Sequence, residues 1–558
     1  MDKNDLKIRI KNIGSIENVS FTIKDITGIL GLPNSGKSYA LRSIYWFLQL
    51  LDKNRYSEII DMIKEDMPYY DIIDFISIGN NNNVEDEIKD IISNYIANTK
   101  SYKKLNQHEI LYGSELQFEF HLNTDNISKL IKSTFKNTMQ NYLNSKKLDS
   151  IEINGINMDK IIDEINLDIF NDKDSIFPSE KIESVYIPLP PAREQDIKKY
   201  LELRRFLSGH PIKMSIDNIK YDYIGDNITI NFDLKLTRLI TNENHITSRH
   251  TYGFIDDERV PFGNKNNQYI NSIISKIKDN IIDFYLKSIK LYVSNISGLN
   301  SIKFIPYGRN IIVQLYNNSK KERIFEPPKV LDTIQNLKNA PFSSYFKWID
   351  DGYSSIDNFN ENIKSLFQFI IKGSIDINTN SGGLKYTYSK DKSVDLNLSS
   401  AMVEEIAGIM LPVISSHEGD LIIIEEPEAQ LHITTQIIMG ILLIYIAKEL
   451  NMKILFSTHS DTMTFIIQHI LSNHIQDNDI KQLMKTIYKN NNVPDIKLNL
   501  TNNKFNERFS FYYINKGKSE EYNSKDLQNS IPGISNVIDD LFNWAFNSLK
   551  DPKNGDKN

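Results

Sequence analysis

Eight consecutive residues, Gly31-Leu32-Pro33-Asn34-Ser35-Gly36-Lys37-Ser38, have the spacing of a phosphate-binding P-loop, G-x-x-x-x-G-K-[ST]. Glycines in such a loop let backbone N–H groups curl round a phosphate chain at the positive end of the next helix. Gly31, Asn34, Ser35, Gly36, Lys37 and Ser38 are therefore candidate ligands of a nucleoside triphosphate. Lys37 would reach the β- and γ-phosphates, and Ser38 would give a hydroxyl to Mg²⁺. Glu425 and Glu426 follow an apolar run, Leu421-Ile422-Ile423-Ile424. A first carboxylate there can hold Mg²⁺ and a second can orient and deprotonate water; a charged pair opening a helix is the plainer alternative. His459 closes another apolar run, where it can hydrogen-bond a γ-phosphate or the attacking water. Ser399 and Ser400 read equally as helix N-caps and as phosphate ligands at a helix N-terminus.

These groups need a parallel sheet to bring them together. Thr27-Gly28-Ile29-Leu30 reads as a buried strand before the P-loop. Ala40, Leu41, Ile44, Tyr45, Leu48 and Leu51 recur after it at helical spacing. The run 421–424, a helix over 429–450 and the strand Lys453-Ile454-Leu455-Phe456 form a βαβ unit, with strand ends on the same edge as the P-loop. Leu6–Ile10 and Val19–Ile23 alternate as an antiparallel hairpin. A helix carrying Val403, Ile406, Ala407, Met410 and Leu411 follows Ser400.

The pattern predicts six segments. Residues 1–55 are the N-terminal part of the nucleotide-binding unit, and 56–180 a mostly helical insertion with a strand near 116–122. Residues 181–195 supply a further strand of that unit, 196–384 a mixed α+β insertion and 385–475 its C-terminal part. Residues 476–558 hold a hairpin (496–500 with 509–514), a closing helix at 534–549 and a disordered tail. Within the larger insertion, strands are expected near 218–240 and 301–316, an amphipathic helix over 268–292 and a hairpin over 373–388. No heptad pattern persists, and no internal repeat is found.

At 558 residues the chain has room for several domains and a large core. A net charge of −7 gives no global basic footprint for nucleic acid, though a local patch remains open. The absence of cysteine excludes disulfides, thiol catalysis and Cys-ligated zinc. The first five residues lack the apolar core of a signal peptide, and the longest apolar run, Ile437 to Ala447, is too short to span a bilayer. The expectation is a soluble cytoplasmic protein with no membrane partner.

The P-loop, Leu398-Ser399-Ser400-Ala401-Met402, Ile422 to His432 and Ser457-Thr458-His459-Ser460 occur in the order of an ABC-type ATPase head. Glu425-Glu426-Pro427-Glu428 followed by Leu431-His432 resembles the RecF/SMC-related group, and within it the OLD-like ATPases often described as AAA-type. Pro191-Ala192-Arg193 resembles a segment that follows a head strand in such proteins. The fold implied is α/β, a P-loop ABC-type head with a mixed sheet and a large α+β insertion. The resemblance makes Glu425 the Walker B metal ligand alongside Ser38, Glu426 the catalytic base and His459 the switch histidine. Ser399 becomes the signature serine, contacting nucleotide held by a second subunit. Two copies, or a higher even number, would close on ATP and Mg²⁺. Ser400 and Ala401 replace the signature glycines, which puts closure in question. Gln195 is a candidate Q-loop glutamine.

Such a head without the Toprim domain of OLD nucleases resembles the sensor or regulatory ATPase of a prokaryotic antiviral system, partnered by a separately encoded nuclease or toxin. A RecF-like ATPase of DNA repair, clamping DNA, is the alternative. A self-contained nuclease is the third reading, on Arg204 or Arg205 with His210. His245 and His250 lack metal-binding partners, and Lys320, Lys321, Arg323 and Lys329 read as a solvated loop.

Overall fold

The computed structural model describes residues 5–51, 61–63, 76–78, 102–106, 109–145, 148–169, 182–185, 212–224, 227–241, 283, 285–322, 342–356, 359–378, 382–390, 392–473, 475–489, 493–494 and 508–522. The chain divides into two compact units, one of residues 1–59, 136–161 and 289–558, the other of 60–135 and 162–288.

The first unit is built on a ten-stranded mixed sheet. Five strands run parallel at one side, in the order Ile302–Ile305, Leu421–Glu425, Lys453–Thr458, Ile26–Leu30 and Phe509–Asn515. Lys518–Tyr522, Ile16–Ile23, Leu6–Ile13, Ser150–Ile153 and Ile156–Asn157 continue it. The predicted hairpin of the first two strands forms, with Leu6 opposite Ile23 and Ile13 opposite Ile16. The predicted βαβ unit also forms, around the helix Ile433–Glu449. Leu421–Glu425 is buried at every residue, as a parallel strand covered on both faces must be. Gly28 sits in register between Phe456 and Phe511 on the flanking strands. A Cβ at Gly28 would lie 2.5 Å from the Phe511 ring, so glycine leaves room for the two aromatic rings, whose centroids are 6.1 Å apart.

Helices Arg309–Glu322, Phe342–Ser355, Glu361–Ile371 and Ala401–Ile414 belong to the same unit. The last contains Pro412, which has no N–H for the Gly408 carbonyl. Tyr345 supplies the missing donor, its hydroxyl bonding Gly408 O at 2.7 Å. At Gly352 a Cβ would fall 2.0 Å from Leu411 O, so this glycine lets the two helices approach closely. The expected hairpin over 373–388 is present as Ser374–Ile377 against Leu384–Ser389, with Lys392–Asp395 as a third strand.

Several expected elements differ. Ile302–Ile305 is a strand of the head sheet, parallel to Leu421–Glu425, and it is followed by a helix at Arg309–Glu322 where strand was expected to 316. Ile182–Val185 is not a head strand: it pairs antiparallel with Ile212–Ile224 in the other unit. Phe509–Asn515 forms its hairpin with Lys518–Tyr522, because Lys516 and Gly517 both take positive φ, as a two-residue turn requires. Lys320 is not on a solvated loop; it is helical, ion-paired with Asp350 and 4.8 Å from the centre of the Tyr353 ring.

The second unit carries a six-stranded antiparallel sheet centred on the long strands Glu109–Asn123, Asn227–Thr241 and Ile212–Ile224. Ile76–Ile78 and Tyr102–Asn106 also pair with Glu109–Asn123, so this part of 56–180 is less helical than its sequence suggests. The predicted closing helix at 534–549, the tail, residues 496–500 and most of 268–292 lie outside the described residues.

Candidate nucleotide site at the edge of the parallel strands

The strand Ile26–Leu30 delivers the P-loop, and the helix Lys37–Leu48 leaves it. Gly31, Asn34 and Gly36 take φ values of +153°, +61° and +106°, a loop conformation that two glycines and an asparagine tolerate best. A Cβ on Gly31 would meet Ser35 Oγ at 2.6 Å and the carbonyl of Ile514 at 2.7 Å. Ser35 Oγ is buried without a hydrogen-bond partner among the described residues. Lys37 is only 6% exposed, and its ammonium donates to the carbonyls of Gly31 at 2.7 Å and Leu32 at 2.9 Å. Burial pushes this ammonium down to about 8, with the negative charges of Glu426 and Glu428 offsetting part of the effect. Ser38 is exposed. A loop without side chains at its tightest points, with an unpartnered hydroxyl and a buried cation, fits a triphosphate.

Two strands away, Glu425 sits opposite Ser457, and Ser457 opposite Ile29. The Glu425 carboxylate accepts from Arg42 Nε at 3.2 Å, Arg42 Nη2 at 3.3 Å and the Tyr307 N–H at 3.1 Å. Arg42 comes from the P-loop helix and its side chain is 44% exposed. Glu426 adopts φ +45°, and its N–H donates to the Ser457 carbonyl at 3.1 Å. Its Oε1 lies 3.3 Å from His459 Nε2. That hydrogen bond lowers the Glu426 carboxyl below the ordinary value; burial opposes it, and His459, Lys37 and Arg309 add attraction. Glu426 is thus ionised at neutral pH, the state a general base needs.

His459 is oriented from behind. Its backbone N–H donates to Glu428 Oε1 at 2.6 Å, and Thr458 Oγ1 donates to the same oxygen at 2.7 Å. Burial raises the Glu428 carboxyl, and these two donors act against it. Arg309, with no exposed surface, locks the turn from the other side. It donates to the carbonyls of Glu425 at 2.8 Å, Glu426 at 2.9 Å and Pro306 at 3.2 Å, and is ion-paired with Glu405 Oε2 at 2.8 Å. Glu405 lies on the helix that begins after Ser400, so one guanidinium ties that helix to both glutamates.

Glu425, Glu426 and His459 therefore stand on the strand edge that carries the P-loop. Ser399 lies apart from these contacts in its own hydrogen bonding: its Oγ donates to Leu396 O at 2.6 Å. Ser400 is the N-cap of Ala401–Ile414 without a side-chain capping bond, and Leu398 is 78% exposed. Gln195, Pro191–Arg193, Arg204, Arg205, His210, His245 and His250 lie outside the described residues. Arg309, Arg42 and the role of Glu428 were not expected. Glu428 is visible within the Glu-Glu-Pro-Glu run, but a lone Arg309 after Gly308 has no signal in the sequence. Among the described residues no cluster of three metal-ligating side chains occurs; hard oxygen donors for Mg²⁺ would come from Ser38 and Glu425. No helix among them is long and apolar enough to cross a membrane.

No curated protein matches this sequence. Similar solved structures are heads of SMC proteins. One is an SMC head bound to the C-winged helix domain of ScpA, 12% identical over 92% of this chain and 96% of that one, with a TM-score of 0.29. Another is the SMC head domain from Thermotoga maritima, 9% identical over 93% and 98%, with a TM-score of 0.26. A third is an Smc head with an extended coiled coil bound to the C-terminal domain of ScpA derived from Pyrococcus furiosus, 11% identical over 96% and 98%, with a TM-score of 0.28. Scores this low establish neither a shared fold nor a shared activity. The family match is of a different order, because residues 6–464 correspond to the AAA ATPase domain, an interval that contains the P-loop, both edge glutamates and His459. The chain belongs to the AAA ATPase domain family and is an ATPase.

Proposed function

We propose that this ATPase is a nucleotide-driven switch of the OLD-like kind, in which two copies, or a higher even number, close on ATP and Mg²⁺ and reopen after hydrolysis. Lys37, with Gly31, Asn34, Ser35 and Gly36, binds the phosphates; Ser38 and Glu425 would hold Mg²⁺, with the metal replacing the Arg42 contact to Glu425. Bound Mg²⁺ neutralises phosphate charge. Glu426 takes the proton of the attacking water, and His459, braced by Glu428, orients Glu426 and the γ-phosphate. Ser399 serves the nucleotide of the second copy. The observation that carries the dimer is the Leu398–Ser399 turn, whose leucine is 78% exposed at the start of a helix that Arg309 couples to the catalytic turn. A second subunit would cover it. The switch fits a sensor or regulatory ATPase of a prokaryotic defence system that acts through a separate nuclease or toxin.

The test is the solution mass of the Glu426→Gln protein by light scattering, with and without ATP–Mg²⁺. The proposal expects a doubling with ATP that Leu398→Glu prevents, and phosphate release slowed at least about a hundredfold by Glu426→Gln. An ATP-independent mass, or normal turnover by Glu426→Gln, refutes it. Salt-sensitive duplex DNA binding that ATP strengthens would favour the DNA-clamping alternative.

A further inference from the structure

An open groove of about 1100 Å³ lies between the helix Glu361–Ile371, the strands Ser374–Ile377 and Leu384–Ser389, and the helix Asp477–Tyr488. Its residues are not those of the nucleotide site. Lys372, Lys390, Lys481 and Lys485 line it, and no Asp or Glu does among the described residues. That is a strong local bias in a chain of net charge −7. Hydroxyls add donors along the hairpin side; those of Ser374 and Thr387 already bond the Asp376 carboxylate, at 2.6 and 3.2 Å.

The walls are partly aromatic. Phe369 and Tyr488 meet with ring centroids 4.7 Å apart, joining the two helices. Lys372 Nζ stands 5.6 Å from the Tyr488 ring centre, which holds one cation at the rim. At Gly373 a Cβ would fall 2.4 Å from Thr387 O, so glycine lets the helix end fold directly onto the hairpin. Tyr388 is 48% exposed beside the lysines, its ring centroid 6.1 Å from that of Tyr386, so an exposed aromatic surface faces the groove.

We propose that this groove binds single-stranded nucleic acid, with lysines on successive phosphates and a base stacked on Tyr388. Lysine cations tracking a backbone beside an exposed aromatic ring are what sequence-tolerant single-strand binding needs. The groove is open along its length, which favours an extended ligand over a compact, enclosed one. The assignment does not depend on the dimeric switch.

The test uses the full chain without ATP and a fluorescent twelve-nucleotide uridine oligomer, read by anisotropy across a salt series. Lys372→Ala with Lys485→Ala should reduce the slope of log affinity against log salt by about 1.4, near 0.7 for each phosphate no longer neutralised. Tyr388→Ala should weaken binding roughly tenfold and leave that slope unchanged. Melting curves like that of the wild type confirm that these surface variants fold. The proposal falls if the oligomer does not bind, or if these variants bind it like the wild type. It also falls if a duplex of equal length binds as tightly, if uridine monophosphate competes fully at equal nucleotide concentration, or if inorganic polyphosphate does so at equal phosphate concentration. Those last two outcomes would mark a free-nucleotide site and a general anion patch.

Discussion

Binding of a triphosphate should draw a proton onto Lys37. In the nucleotide-free chain the residue is 6% exposed, its ammonium donates to two carbonyls, and burial, only partly offset by Glu426 and Glu428, brings it down to about 8. Relative to an ordinary lysine near 10.4, that is a penalty of about 3 kcal/mol on the charged form. The sign follows directly. Below about pH 8 both folded and unfolded chains carry the proton, and the penalty is fully present. Between about 8 and 10.4 the unfolded chain holds a proton the folded one has released, so nucleotide-free stability rises with pH across that window. A phosphate chain beside Nζ restores the charged form. The expected uptake on binding a non-hydrolysable ATP analogue is about a tenth of a proton at pH 7, half at pH 8 and nine tenths at pH 9. Isothermal titration calorimetry in buffers of differing ionisation enthalpy reads this number as a slope. A slope of zero at pH 8 and 9 would refute the reasoning, since it would mean that Lys37 keeps its proton in the empty loop.

Arg309→Ala should destabilise the chain by about 3–5 kcal/mol, because Glu405 is left charged and buried and three carbonyls lose their donor. Arg309→Met combined with Glu405→Gln should recover part of the lost melting temperature; a double variant no better than Arg309→Ala would show that the ion is not the cause. Gly31→Ala places a methyl 2.7 Å from Ile514 O at φ +153°, so a lower melting temperature and at least about tenfold weaker nucleotide binding are expected, by fluorimetry and calorimetry. Wild-type values would show that the strand beside the loop yields easily.

The nucleotide loop and the βαβ unit were legible because their signals are contiguous: a fixed eight-residue spacing, and four apolar residues ending at a charged or polar group. The head's outer strand was expected within 301–316, but its place beside Leu421–Glu425 was not legible, because Lys303 interrupts Ile302–Ile305. Its stem is buried while Nζ reaches Ser415 Oγ at 2.7 Å and Pro412 O at 3.3 Å, a rescue no local pattern records. The C-terminal hairpin turns at Lys516-Gly517 and pairs forward, because a tight turn outweighs the alternating apolar residues of 496–500, which suggest a partner on the other side. Arg309 was invisible for another reason: its partners Glu425 and Glu426 lie 116 and 117 residues away, and a buried cation is defined by partners, not by neighbours in sequence.

Phe509–Asn515 lies beside the P-loop strand, pairing Phe509 with Ile26 across 483 residues. During synthesis the nucleotide loop therefore waits, its strand lacking one neighbour until residue 515 has left the ribosome. Contacts this remote form slowly, and an unpaired strand edge invites wrong partners in the interval. A chain cut before residue 508 keeps every residue of the phosphate loop and loses the strand against which Gly31 packs. Such a truncated chain should therefore bind nucleotide more weakly than the full one, although its phosphate loop is intact in sequence.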